Sequence, residues 1–288
     1  MTKRVYKLLL IVLILLAAVG CGRESEAGPG AAESGHADHG DHGGAPEDGS
    51  GHSHDGGGEL RTQVIFAFPD GKPGAGQPTK LSIRLTDEEG RPVDAFDVTH
   101  EKLLHLIVVD RQLSYFSHLH PDYAGEGVFT VETTFPAGGE YKLFADFQPT
   151  GASAVTIGKR VEVDGASAEA AALVPDETLK VTVEGKKVEL RAEAWQAGTE
   201  MLLTFHISDA ATGRPIETLE PYLGAIGHVV ILSEDAERYL HVHPAEEQAT
   251  GPEAVFRTSF PAPGLYKIWA QFQHEGNVFT VPFTVEVQ

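Results

Sequence analysis

The feature that most constrains this chain is an internal repeat whose two copies keep a nearly constant offset. Gly90–Val93 reads Gly-Arg-Pro-Val, and Gly213–Ile216 reads Gly-Arg-Pro-Ile 123 residues later. After two extra residues in the second copy, Phe135–Tyr141 corresponds to Phe260–Tyr266. A repeat of this length predicts that one domain occurs twice in the chain.

The repeat divides the 288 residues into five segments, in keeping with the usual domain size. The two copies of the domain are called repeat 1 and repeat 2 below. The predicted segments are a signal peptide at 1–20, a disordered tether at 21–58, repeat 1 at 59–164, a linker at 165–176 and repeat 2 at 177–288.

Short strands separated by turns dominate both repeats. Leu81–Leu85 alternates apolar and polar residues, as a half-buried strand does, and Phe129–Thr133 does the same. Clusters of Gly, Pro and Asp at 69–74 and 87–92 indicate turns between such strands. The pattern predicts an all-β protein whose two tandem domains are β-sandwiches or barrels.

A Gly-x-Tyr sequence precedes a late strand in each repeat. These sequences are Gly139–Tyr141 and Gly264–Tyr266. They resemble the tyrosine corner of immunoglobulin-like sandwiches, in which the tyrosine hydroxyl bonds to the backbone at the corner. The resemblance implies an immunoglobulin-like fold and a structural role for Tyr141 and Tyr266.

The N-terminus carries the features of an export signal. A basic start at Met1–Lys7 precedes an apolar run, Leu8–Val19, which is short for a membrane span. Small residues then precede Cys21, the one cysteine of the chain. The arrangement resembles a bacterial lipoprotein signal, which implies a lipidated Cys21 on an extracytoplasmic protein, in the periplasm or at the cell surface. An uncleaved anchor is the alternative.

The predicted tether at 21–58 lacks hydrophobic periodicity and is rich in Gly, Asp and His. Its imidazoles can bind a borderline cation, although a hydrophilic spacer is the alternative interpretation. We predict auxiliary, loose metal binding by its histidines, which are His36, His39, His42, His52 and His54.

The formal net charge is −20. The electric field of so negative a protein repels nucleic acid and attracts cations. The sequence therefore predicts no nucleic-acid partner.

Each repeat combines a histidine in an apolar strand with a His-x-His-Pro motif. Alternate strand residues share a face, and a hairpin that turns at Arg111-Gln112 places His105 opposite His118 and diagonal to His120. The same register applies in repeat 2. The spacing therefore predicts one three-histidine metal site in each repeat, made of His105, His118 and His120 and of His228, His241 and His243.

Imidazole-only ligation favours Cu(II), Zn(II) or Ni(II) over soft Cu(I). We expect a divalent ion, with Cu(II) first and Zn(II) second. The alternative is that the histidines are hydrogen-bonded packing residues of a duplicated domain. His100, His206 and His274 have no counterpart in the other repeat, and only His100 is placed to add to the first site.

The combination of an apolar strand with histidine, His-x-His-Pro and Phe-Pro-x-x-Gly-x-Tyr resembles bacterial exported domains of the YtkA-like and FixH-like kind. The resemblance implies an extracytoplasmic immunoglobulin-like module associated with copper or heavy-metal handling. It also implies that the six histidines of the repeats are candidate ligands.

The sequence is compatible with three functions. The first is a membrane-anchored metal-binding lipoprotein that is not an enzyme and holds ions or passes them to a delivery or membrane protein. The second is a partner-docking module with structural histidines, in which Phe144 and Trp269 form a contact surface or fill a two-sided core. The third and least favoured is a metal-dependent hydrolase, because no general base is evident. The spacing leaves open whether the two sites are equivalent or merge.

Overall fold

The computed structural model describes residues 61–169, 171–240 and 242–288. The predicted signal peptide, Cys21 and the tether histidines lie outside the described residues. Every regular element within the described ranges is a β-strand. Those ranges contain no helix with the length and apolar character needed to cross a membrane.

Repeat 1 forms two antiparallel sheets that enclose one core. One sheet has the order β1-β2-β7-β6, and the other has the order β3-β8-β4-β5, with β9 also paired to β8. The strands are β1 (Gln63–Ala67), β2 (Pro78–Thr86), β3 (Phe96–Asp97), β4 (Leu104–Asp110), β5 (Phe116–Leu119), β6 (Asp122–Gly125), β7 (Val128–Thr134), β8 (Gly139–Pro149) and β9 (Val155–Val163).

Repeat 2 has the same plan. Its sheets have the orders β10-β11-β12-β16-β15 and β14-β13-β17-β18. The strands are β10 (Lys180–Val183), β11 (Lys186–Arg191), β12 (Glu200–Asp209), β13 (His228–Ser233), β14 (Tyr239–Leu240), β15 (His243–Pro244), β16 (Glu253–Ser259), β17 (Gly264–His274) and β18 (Asn277–Val287). The prediction of two tandem all-β sandwiches is confirmed.

The cores follow the predicted alternation. Leu81, Ile83 and Leu85 of β2 are fully buried, while Lys80 and Arg84 at alternate positions are exposed. A strand residue points to the face opposite its neighbour, so one face of β2 enters the core and the other meets solvent. Apolar burial on one face of each sheet is the main stabilising term of such a sandwich.

Both predicted tyrosine corners are present. The hydroxyl of Tyr141 donates to the Ala137 carbonyl over 2.9 Å, and that of Tyr266 donates to the Ala262 carbonyl over 2.8 Å. Both rings are buried in the cores. The corners support the immunoglobulin-like fold in each repeat.

Strands β4 and β13 are buried on both faces. Leu106 and Val108 of β4 point into the core of repeat 1, while Ile107 and Val109 point away from it. The outward residues pack against repeat 2, so the described repeats form a continuous apolar contact. We call this contact the junction cluster, and its buried members are Ile107, Val109, Leu113, Phe144, Val230, Leu232, Ala236 and Trp269.

Equivalent residues exchange contacts across the junction. Phe116 of repeat 1 stacks on Trp269 of repeat 2, with ring centroids 4.8 Å apart. Reciprocally, Phe144 of repeat 1 packs against Tyr239 of repeat 2 at 5.4 Å. Phe116 is the equivalent of Tyr239 and Phe144 that of Trp269, so the junction has approximate twofold symmetry.

The suggestion that Phe144 and Trp269 form a surface for an outside partner is wrong. Their exposed fractions are 2% and 3%, because the two repeats cover each other. An ion pair between Lys142 and Glu237, with Nζ and Oε2 2.7 Å apart, also joins the repeats at this contact.

Candidate metal centre

The histidines of the apolar strands lie on the junction side of their sheets. Alternate residues of a strand share a face, so His105 lies on the same outward face of β4 as Ile107 and Val109. In the same way, His228 lies on the outward face of β13 with Val230 and Leu232. Both imidazoles are therefore carried to the end of the junction cluster, where the two repeats meet.

The hairpin of β4 and β5 has a register two residues from the predicted one. Ile107 lies opposite His118 and Leu106 opposite Leu119, where the paired register ends, so His105 does not lie opposite His118. The difference arises at the turn, where the Asp110 carboxylate accepts hydrogen bonds from the backbone amides of Ser114 and Tyr115 at 2.7 and 2.9 Å. These bonds hold a longer loop than a tight turn at Arg111-Gln112 would need. All three histidines still share one face.

His105, His118 and His120 form a compact group. Their ring centroids are 5.2 Å apart for His105 and His118, 5.1 Å for His105 and His120, and 4.6 Å for His118 and His120. One nitrogen of each ring lies within 4.8 Å of the corresponding nitrogens of the other two. Adjacent ligands of a tetrahedral ion with bonds of 2.0–2.1 Å are about 3.4 Å apart, so a small contraction of this group suffices.

The ring of His228 of repeat 2 packs beside this group. This ring stacks on that of His105 with centroids 5.7 Å apart and planes inclined by 10°, and it lies 4.7 Å from His118. We call His105, His118, His120 and His228 the histidine cluster. The structure thus brings four imidazoles together from both repeats, where the sequence predicted three from each.

Two acceptors set the tautomers of the cluster. His105 Nε2 lies 2.9 Å from the Thr99 carbonyl, which can only accept, so this nitrogen carries the proton. His118 Nδ1 lies 2.8 Å from Gln271 Oε1, which can only accept, and Gln271 Nε2 donates to Thr280 Oγ1 at 3.1 Å. With these protons in place, the other ring nitrogens, His105 Nδ1 and His118 Nε2, each keep a free lone pair.

The two free lone pairs face each other. His105 Nδ1 and His118 Nε2 are 3.0 Å apart, and with these tautomers neither carries a hydrogen. Two acceptors at hydrogen-bond distance repel unless a proton or another cation lies between them. The arrangement is therefore one that attracts a cation.

A proton is poorly suited to this role near neutral pH. Burial lowers the pKa of His105 to about 4. Burial, with a smaller contribution from neighbouring histidines, lowers the pKa of His118 to about 3. The pKa of His120 is lowered to about 4, again mainly by burial, and the pKa of His228 lies well below the usual range for the same reason. Metal ions require neutral imidazoles, which these shifts supply.

The other two cluster members leave buried nitrogens unused. His120 Nε2 and His228 Nε2 are buried and have no hydrogen-bond partner among the described residues. A buried polar atom without a partner carries a desolvation penalty of roughly 1–3 kcal/mol. The cluster therefore combines two facing lone pairs with two unpartnered nitrogens, and this donor set fits a borderline divalent ion.

The structure does not bring His243 of the predicted second site together with His228. His243 lies on β15, which pairs with β16 in the other sheet, and its side chain is exposed opposite Arg257. The chain passes from one sheet to the other between Leu240 and His243, which takes His243 away from β13. His241 lies outside the described residues, as do the tether histidines and Cys21, and their predicted roles stay predictions.

Of the histidines without a counterpart, only His100 reaches the cluster. Its ring centroid lies 5.9 Å from that of His105 and 5.5 Å from that of His228. His206 lies on β12 near Glu253, and His274 lies at the end of β17 near Thr218. Sequence reasoning also missed Gln271. Its position directly across the sheet from His228, in a strand predicted from the repeat, is the signal that could have identified it.

Solved structures that match the chain have low similarity to it. They include the Escherichia coli adhesin FdeC, with 16% identity, 81% of this chain covered and a TM-score of 0.26. Invasin, described as a bacterial integrin-binding protein, has 13% identity, 78% coverage and a TM-score of 0.23. The Yersinia pseudotuberculosis adhesin InvE has 12% identity, 80% of this chain covered and a TM-score of 0.24. The chain spans 66%, 39% and 61% of the length of these proteins, respectively.

The sequence itself matches one family model twice. No curated protein matches the chain. A family described as a domain of unknown function, DUF8832, matches residues 62–165 and again residues 181–288. Together the two matches cover well over half of the chain and fall on the two sandwiches. The chain therefore belongs to the DUF8832 family and contains two copies of its domain.

Proposed function

We propose that the protein is an extracytoplasmic metal-binding protein whose two repeats jointly hold one divalent ion. The ligands in this proposal are the members of the histidine cluster, which are His105, His118, His120 and His228. The observation that carries it is the 3.0 Å approach of His105 Nδ1 to His118 Nε2, with both protons directed away from the gap.

The ligand types support Cu(II) first and Zn(II) second. Four neutral imidazole nitrogens suit either ion, and Cu(II) leads the affinity order for nitrogen sites. Thr99 and Gln271 act as outer partners that orient His105 and His118, an arrangement common around bound metals.

A binding role is favoured over hydrolysis. Catalytic zinc keeps one coordination position open for water, whereas four imidazoles complete a tetrahedral shell. Among the described residues, the cluster also lies at the end of the apolar junction cluster. We therefore propose a non-catalytic site that stores ions or passes them on.

The remaining sequence features extend this proposal. A lipid on Cys21 would hold the protein at a bacterial membrane, and the tether histidines would collect ions for the folded repeats. The resemblance to YtkA-like and FixH-like domains supports the same general role, with a metal-delivery or membrane protein as partner.

The test is the stoichiometry of Cu(II) and Zn(II) binding, measured by titration against a competing chelator. The parent protein is the full chain with alanine at the five tether histidines, so that only the repeats are measured. We expect one tight equivalent, which is lost when His105, His118 and His120 are changed to alanine.

The substitution His243→Ala provides the matched control, because this exposed histidine lies on the other sheet. It should retain the tight equivalent. Two equivalents in the parent would favour separate sites in the two repeats, and no tight binding by a folded parent would overturn the proposal.

Partner docking is the second candidate function. Strand β1 lies at the edge of its sheet, and its Ile65 side chain is 48% exposed although apolar. Edge strands can accept a further strand from another protein. This candidate gains support if a bound partner is released by Ile65→Lys and is unaffected by alanine at the histidine cluster.

A further inference from the structure

We infer that His100 is an exchange ligand, through which the buried histidine cluster takes up and releases its ion. This inference rests on the proposed function and deepens it. The cluster members are partly or fully buried, whereas the side chain of His100 is exposed. His100 therefore lies between solvent and the ligands that would hold the ion.

The backbone at His100 is unfavourable for its sequence. His100 and Glu101 have φ values of 47° and 65°, in the left-handed region that residues other than glycine usually avoid. They are the central residues of a tight turn in which the amides and carbonyls of Thr99 and Lys102 exchange two hydrogen bonds, of 2.9 and 3.0 Å. Such turns favour Asn-Gly or Gly-Gly at these positions.

The equivalent turn in repeat 2 provides a direct comparison. Tyr222 and Ala225 exchange the same two hydrogen bonds, and the central residues are Leu223 and Gly224 with φ values of 55° and 79°. Repeat 2 thus places glycine at its second central position, whereas repeat 1 has two non-glycine residues. Strained positions of this kind concentrate at functional sites.

The turn is connected directly to the cluster. The carbonyl of Thr99, next to His100, accepts the hydrogen bond from His105 Nε2. The His100 ring meets those of His105 and His228 edge to face, with interplanar angles of 71° and 76°. One imidazole therefore touches a ligand from each repeat and remains in contact with solvent.

These contacts match the requirements of ligand exchange. A buried ion leaves its site stepwise, and each lost imidazole must be replaced before the next one dissociates. A fifth imidazole on the same chain is present at an effective concentration of about millimolar or higher. His100 would therefore accelerate uptake and release alike and leave the equilibrium affinity nearly unchanged.

The experiment compares exchange rates with affinity. The parent is the full chain with alanine at the five tether histidines, loaded with one equivalent of Zn(II), and release to a chromogenic chelator is followed by stopped flow. The variants are His100→Gly and His100→Asn, because both residues tolerate the left-handed turn. His206→Ala controls for loss of a histidine far from the cluster.

We expect both variants to release and bind Zn(II) roughly tenfold more slowly, with a dissociation constant within about threefold of the parent value, and about 10 mM free imidazole to restore much of the rate. The control should behave as the parent. Unchanged rates, or faster release with a matching loss of affinity, would overturn the exchange role alone. Failure of the parent to bind one equivalent would overturn the proposed function as well.

Discussion

His105 and His228 occupy equivalent positions in the two repeats, and their imidazole rings stack across the junction with centroids 5.7 Å apart. This contact makes the candidate metal centre a property of the pair of repeats. Repeat 2 contributes His228 and the outer partner Gln271 to a group that is otherwise built by repeat 1.

The first prediction concerns His228. The substitution His228→Ala should lower the affinity for Cu(II) and Zn(II) by at least roughly 10–100-fold. Loss of an outer partner already causes a decrease of this size, and His228 is a direct ligand in the proposal. Competition titration measures the effect. The heat stabilisation by either ion should decline in parallel. Equal affinities for variant and parent would exclude His228 as a ligand.

The second prediction concerns Gln271, whose Oε1 accepts the hydrogen bond from His118 Nδ1. The substitution Gln271→Leu should reduce ion affinity by about 10–100-fold, since the His118 ring loses the partner that fixes its tautomer. Gln271→Glu keeps an acceptor and should retain the affinity. Equally weak ion binding by Gln271→Leu and Gln271→Glu would show that the hydrogen bond to His118 does not determine the ion affinity.

The third prediction is a pH dependence of the metal-free protein. A histidine in the unfolded chain has a pKa near 6.5, whereas burial lowers the pKa of His105 to about 4 in the folded protein. The unfolded chain therefore binds protons first as the pH falls, and stability declines between pH 6.5 and 4. The lowered pKa of His105 accounts for a loss on the order of 3 kcal/mol in the free energy of unfolding over this pH range.

Urea unfolding at a series of pH values tests this prediction. His105→Leu should lose less stability than the parent over the same acid range, because one group that titrates differently in the two states is removed. His206→Ala serves as the control. An identical acid loss in His105→Leu and the parent would contradict the assignment.

The fourth prediction concerns the junction cluster. Phe144→Ala should destabilise the protein by about 3–5 kcal/mol through the cavity it leaves. It should also weaken ion binding, although Phe144 is not a ligand, because the junction positions His228 against His105. Tyr141→Phe should lose about 1 kcal/mol with the hydrogen bond to Ala137 and leave ion binding intact.

Much of the fold follows from residue patterns that are local. Alternation at Leu81–Leu85, the turn signals and the two tyrosine corners predict the sandwiches, and the constant offset predicts their duplication. The shared face of His105, His118 and His120 was also predictable, because a register error of two residues preserves the face of every side chain.

The junction was not predictable from the same reasoning. The hairpin argument treats each repeat alone, whereas His228 is positioned by packing between sheets of different repeats. A usable signal existed in the unbroken apolar runs that contain His105 and His228, since strands of this kind are buried on both faces. The departure of His243 depends on where the chain changes sheets, and residue spacing does not specify that point.

The reciprocal contacts of Phe116 with Trp269 and of Phe144 with Tyr239 have an evolutionary consequence. Before the gene duplicated, a single domain with this face would have associated with an identical copy of itself as a homodimer. Fusion into one polypeptide then released the two halves from the requirement of identity. The two halves now differ: repeat 1 contributes His118 and His120 to the shared site, whereas His243 of repeat 2 lies on the other sheet.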